Sequence, residues 1–134
     1  MSNGAPKIDD RLLYILPVLI ERIEKIKPEL VIYEYPFNVK GNGRVLLEFI
    51  GVFRYHCIKN GIPYLPLQQQ RIKKYATGKG NATKEMMVEV FKKETGVDLK
   101  DLIQPKRKLG GPTTDITDSY FLCKYLLHVN GFVK

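Results

Sequence analysis

Three carboxylates and a run of lysines are the residues of this chain best placed to do chemistry. Glu34 closes the apolar run Leu30-Val31-Ile32-Tyr33. Asp115 and Asp118 stand three apart in Thr113-Thr114-Asp115-Ile116-Thr117-Asp118-Ser119, a spacing that puts both on one face of a helix. Between these acids, Gln68 to Lys84 carries Arg71, Lys73, Lys74, Lys79 and Lys84 and no acid at all. Carboxylate oxygens are the ligands of hard divalent cations such as Mg²⁺ or Mn²⁺. Two such ions clamp the attacking and leaving oxygens of an in-line phosphoryl displacement. Lysines hold a polyanionic backbone beside them.

Each feature also has a plainer reading. Glu34 sits where a buried strand would end, and a charge there is unfavourable unless it is paired, metal-bound or solvated. Ligands of open α/β sheets lie outside the carboxyl ends of the strands, so the position favours a site; solvation where the strand emerges is the alternative. Asp115 and Asp118 also suit an N-cap and a first-turn acid. Lys84 falls in a first helical turn, where a cation opposes the helix dipole by about 0.3–1 kcal/mol. A bound anion reverses that penalty; otherwise Lys84 points to water and Glu85 offsets it. The Gly78-Lys79-Gly80 turn is not a Walker loop, since no Gly stands five residues before Gly78 and no Ser or Thr follows Lys79.

These residues need elements to hold them. Val31, Ile32 and Tyr33 are β-branched or aromatic and are bracketed by Pro28 and Pro36, which predicts a short strand of a parallel sheet. Leu12, Leu13, Leu16, Leu19, Ile20, Ile23 and Ile26 recur at helical spacing, so a helix capped by Asp9 or Asp10 runs to about Lys27, kinked or delayed at Pro17. A turn with Asn38, Gly41, Asn42 and Gly43 precedes a helix over 44–59, apolar nearly all round in its first half. Gly51 inside that helix implies close approach of another backbone. A second strand follows over 62–67, limited by Pro63 and Pro66. A short helix covers 68–75, and a further helix starts at an Asn81 cap and stops at Gly96. Val97 to Ile103 adds a helical turn. A basic loop over 104–112 leads to the last helix.

Composition bounds the partners. The chain has 134 residues, one domain by length, with a formal net charge of +8 and an isoelectric point near 9.5, which favours a polyanionic partner. Cys57 and Cys123 form no disulfide framework and fit a reducing cytosol. A zinc site is not indicated, with two histidines and no Cys-x-x-Cys. Leu12 to Ile20 is too short to span a bilayer, and the chain opens with no leader pattern.

Taken together, the strand-end Glu, the paired Asp residues and the basic turn between them are the equipment of a metal-dependent nuclease. Val31-Ile32-Tyr33-Glu34, then Ile72-Lys73-Lys74-Tyr75-Ala76-Thr77-Gly78-Lys79-Gly80-Asn81-Ala82-Thr83-Lys84, then Asp115-Ile116-Thr117-Asp118 resembles the RuvC-type Holliday-junction resolvases, especially their phage-like relatives. The resemblance covers roughly Asp10 to Leu127. It implies an α/β, ribonuclease H-like fold with helices on a mostly parallel sheet, and a homodimer that cuts branched DNA such as four-way junctions in the cytoplasm of a bacterial, archaeal or phage-infected cell. It implies Mg²⁺, with Mn²⁺ as the alternative, held by Glu34, Asp115 and Asp118. It makes Lys73 and Lys84 the catalytically important lysines, and Arg71, Lys73, Lys74, Lys79 and Lys84 the DNA-binding set.

One departure shapes the expectations. The family begins with three antiparallel strands, the first bearing an essential Asp, whereas this sequence starts at the helix that follows them. The expectation is therefore a single resolvase-type domain over 1–134, incomplete at its N-terminus, with an open strand edge that favours self-association. Three functions fit: a structure-selective endonuclease, a catalytically impaired remnant that still binds DNA, and a basic interaction domain for acidic protein.

Overall fold

The computed structural model describes residues 8–36 and 43–131. The expected lead-in before Ile8 and the turn over 37–42 lie outside the described residues. The elements run α1 (Ile8–Ile26), β1 (Val31–Glu34), α2 (Gly43–Lys59), β2 (Tyr64–Leu67), α3 (Gln69–Thr77), α4 (Lys84–Thr95), α5 (Leu99–Ile103) and α6 (Thr113–Val129). Helices dominate, as the periodicities predict. Among the described residues the sheet has two strands, β1 beside β2. They are parallel: Val31 N donates to Pro63 O and Tyr35 N donates to Leu67 O, both at 2.9 Å, a constant offset along both chains.

The chain divides into two compact units. The first comprises residues 1–31 and 36–65 and is built on α1 and α2, which pack together. Its buried side chains are Ile23 on α1 and Ile50, Phe53 and Cys57 on α2. Burial pushes the Cys57 thiol up from its ordinary value. α1 runs unbroken through Pro17, so that proline neither delays the helix nor ends it. Asp9 and Asp10 fall inside the first turn of α1 and do not cap it from outside. α2 is less buried than its composition implies: Leu46, Val52, Tyr55 and Ile58 are exposed. A Cβ built on Gly51 would meet nothing within 4 Å, so no backbone of this chain approaches it closely among the described residues. Arg54 lies 5.5 Å from the Tyr64 ring centroid and donates from Nη2 to the Tyr64 hydroxyl at 3.5 Å.

The second unit comprises residues 32–35 and 66–134. Its core gathers Leu67, Ile72, Ala82, Met87, Phe91, Leu99, Phe121 and Leu122, with Ile32 of β1 packed against them. α3, α4 and α6 pack on one another. Tyr120 stands edge-on to Phe91, with ring centroids 5.0 Å apart. Glu94 ties α4 to α6 by accepting from the Tyr120 hydroxyl at 3.1 Å and from Lys124 Nζ at 2.5 Å.

The helix ends of this unit are well defined. Gly78 ends α3 at φ +85° and Gly96 ends α4 at φ +75°, the left-handed backbone that glycine adopts without strain. The cap of α4 is Thr83, whose hydroxyl accepts from Met86 N at 3.2 Å. Asn81, expected in that role, lies two residues earlier; both are cap-forming types, and only the register of the first turn separates them. Asp98 caps α5 through Asp101 N at 3.0 Å.

Candidate metal and phosphate site

Every residue of the expected site falls in the second unit. Glu34 is the last residue of β1 and is half-buried. Burial raises its carboxyl above the ordinary carboxylate range, the Asp118 charge raises it further, Lys73 opposes the shift and Asp115 adds to it. The alternation of a strand aims Ile32 and Glu34 to the same face, so the core contact of Ile32 also sets the direction of Glu34.

Asp115 and Asp118 lie in the first two turns of α6. Asp115 is exposed and Asp118 half-buried. Burial is the main cause that raises the Asp118 carboxyl; Lys73 lowers it, Asp115 raises it and Lys84 lowers it. Asp118 is thus the centre of the group: it feels both lysines and the other aspartate, and it acts on Glu34. Three threonines hold this end of α6 in place. Thr113, Thr114 and Thr117 are buried, and Thr117 Oγ1 donates to Thr113 O at 2.9 Å. Thr114 N donates to Gly110 O at 3.1 Å.

The two lysines come from separate helices. Lys73 follows the buried Ile72 on α3, and Lys84 is the first residue of α4, directly after its Thr83 cap. Both line a small cleft of about 50 Å³, together with Gln69, Thr114, Thr117 and Asp118, with Met87 and Val88 completing its wall. Lys84 therefore opposes the α4 dipole beside a carboxylate, which compensates it.

The remaining basic residues spread out. Arg71, Lys74 and Lys79 are exposed. A helix turns by about 100° per residue, so Arg71 and Lys74 leave α3 in directions different from Lys73. Gln69, Thr114 and Thr117 were not singled out by the sequence, although the Thr-x-x-Thr spacing of Thr114 and Thr117 at a helix start is a readable signal for a polar wall. Among the described residues, no group of three or more His, Cys, Asp or Glu side chains is placed to hold a metal ion. The donor chemistry nevertheless suits a hard cation: all three acids offer oxygen, and two of them are held partly out of water beside like charge.

No protein-family profile matches the chain, and no curated protein matches it in sequence. Solved structures do. RuvC of Thermus thermophilus superposes with a TM-score of 0.68 at 17% identity, over 97% of this chain and 75% of that one. T. thermophilus RuvC in complex with Holliday junction substrate gives a TM-score of 0.66 at 16% identity with the same coverage. Helices around a short parallel sheet, with Glu34 ending the first strand and Asp115 and Asp118 opening the last helix, are therefore laid out on the ribonuclease H-like fold of RuvC.

Proposed function

We propose that this chain is a structure-selective endonuclease that hydrolyses phosphodiester bonds of Holliday junctions or other branched DNA, acting in the cytoplasm as a homodimer. The observation that carries this reading is the cleft that Lys73, Lys84 and Asp118 line together on a RuvC-like fold, with Glu34 coupled by charge to Asp118, Lys73 and Asp115. Glu34, Asp118 and Asp115 are the residues that would hold Mg²⁺, or Mn²⁺ in its place. The ion, when bound, would supply Lewis-acid stabilisation of charge on the phosphoryl oxygens.

The chain's own residues account for the rest. Lys73 and Lys84 line one cleft with Asp118 and present two cations to the non-bridging oxygens of a phosphate. Half-burial of Glu34 and Asp118 keeps them from full hydration, so a bound cation would relieve like-charge repulsion that water does not. Arg71, Lys74 and Lys79 supply sequence-independent contacts to the DNA backbone. Among the described residues no helix is long and apolar enough to cross a membrane.

A second reading, a DNA-binding remnant with impaired catalysis, is favoured by one observation: no closed metal-ligand group stands among the described residues. A nicking assay on four-way junctions with and without Mg²⁺ separates the two. The nuclease reading expects cleavage that requires the ion and is lost in Asp118→Asn with junction binding retained. Junction binding by the wild-type chain with no Mg²⁺-dependent cut would establish the remnant instead.

A further inference from the structure

The loop over 105–112 is a different kind of basic feature from the lysines of the cleft. Between Asp101 and Asp115 the chain has three cations, Lys106, Arg107 and Lys108, and no acid. All three are exposed. None makes an ion pair among the described residues, although Lys92 with Asp98 and Lys124 with Glu94 do so nearby in sequence. Asp115, a few residues on, makes no ion pair with them, so the three cations stand together as one uncompensated run in a single short loop.

The loop is also closed at its neck. Thr113 Oγ1, on a fully buried residue, donates to Gln104 Oε1 at 2.7 Å, so the side chains at the two ends of the loop are stapled together. Arg107 N donates to Gln104 O at 3.3 Å, forming a turn with Pro105 at its second position, where proline fits. Gln104 N in turn donates to Lys100 O at 2.7 Å, and Thr114 N to Gly110 O at 3.1 Å, so each end is fastened to a helix. A compact loop with its ends joined holds its tip at lower entropic cost than an open tail. Its exit runs straight into the acidic helix start: a Cβ on Gly111 would lie 3.9 Å from Asp115 Oδ2.

We propose that Lys106, Arg107 and Lys108 form a second backbone grip, which binds the phosphates of the nucleic-acid strand flanking the one presented to Glu34, Asp115 and Asp118. This rests on the nuclease reading for the identity of the polyanion. The grip is sequence-neutral and works by register: a stapled loop beside Asp115 fixes which phosphate of the strand reaches the cleft. Three phosphate contacts on duplex DNA contribute about −2.7 to the slope of log K against log salt, at about −0.9 per contact.

The test uses the full chain and a fluorescently labelled four-way junction, with binding followed by anisotropy from about 50 to 200 mM salt. The triple variant Lys106→Gln, Arg107→Gln, Lys108→Gln is expected to reduce the slope by about 2.7. A control variant that removes three exposed cations elsewhere, Arg22→Gln, Lys59→Gln and Lys93→Gln, is expected to leave the slope near the wild-type value. Circular dichroism confirms that both variants fold. An unchanged slope in the loop variant, or an equal fall in both variants, overturns the grip. Mg²⁺-dependent cleavage by the wild-type chain, measured alongside, keeps the two readings apart. A reduced slope without any cleavage retains the grip and removes the nuclease, whereas cleavage with an unchanged slope retains the nuclease and removes the grip. A chain that binds no junction at any salt removes both.

Discussion

The two units of this chain bury their apolar residues to very different degrees. In the second, eight apolar side chains form one buried core, with Phe121 0% and Ile72 1% exposed. In the first, Leu13, Tyr14 and Ile26 are 76%, 81% and 71% exposed, and Tyr55 and Ile58 are each 64% exposed. The contrast has a geometric cause. A helix pair covers one stripe of each helix, and among the described residues of that unit no third helix meets the other apolar stripes. Three helices packed mutually, with the end of a strand beneath them, close a core. The second unit therefore closes a buried core beside the candidate site residues, while the first leaves large apolar side chains exposed among the described residues.

The largest effect expected of this contrast lies in the core of the second unit. Phe121→Ala should destabilise the protein by about 3–5 kcal/mol, read from urea or thermal unfolding. A loss below about 1 kcal/mol would mean that α6 is not held as tightly as its burial indicates. In the cleft, Lys84→Met should reduce cleavage by about 10²–10³-fold, the range for one preorganised charge-stabilising group, with unfolding little changed. Single-turnover kinetics on a junction reads this directly.

A smaller effect concerns pH. Burial raises Glu34 and Asp118, so both bind their protons more tightly in the folded than in the unfolded chain. Their contribution to stability is complete below the ordinary carboxylate range and is lost as pH rises through their raised folded values. Asp118→Asn should therefore gain about 1–4 °C in Tm above that window and nothing below it, a small figure because solvent screens a half-exposed carboxylate. Differential scanning fluorimetry across acidic to neutral pH would check the sign. A Tm that falls in Asp118→Asn at neutral pH would show that Lys73 outweighs burial.

The smallest change in stability is expected in the first unit. Leu13→Ser with Tyr14→Ser should alter unfolding by no more than about 0.5 kcal/mol per site. The same pair should shift the chain toward the monomer in light scattering, if the exposed face of α1 serves association. Unchanged mass together with unchanged stability would leave that face without a role in assembly.

How much of this was legible in the sequence differs by residue. The place of Glu34 was readable because a β-branched and aromatic run bracketed by Pro28 and Pro36 makes a short strand that ends on it. The i, i+3 spacing of Asp115 and Asp118 was readable because helical geometry alone places them together. The cap of α4 was misplaced by two residues because Asn81 and Thr83 both compete for it, and the winner depends on where Met86 N falls. Pro17 was read as a kink or a late start because a lost backbone donor disfavours a helix locally; α1 nevertheless starts nine residues before it, at Ile8, and continues through it to Ile26. The Thr113–Gln104 staple was not readable, since its partners lie nine residues apart and meet only once both flanking helices are packed.

Each unit also carries one thiol, and the two differ as the units do. Cys57 of the first unit is wholly buried, while Cys123 of the second is exposed. Cys123 should titrate at once with a thiol-reactive dye. Cys57 is accessible only when the structure that buries it opens locally, and its raised value slows it further. In Cys123→Ser, the labelling rate of Cys57 becomes a clock for how often its surroundings open, a local opening free energy that global unfolding does not report. If the apolar face of α1 is covered on association, that clock should slow with protein concentration, so one buried sulfur atom would measure how much of the first unit's stability is borrowed from its neighbours.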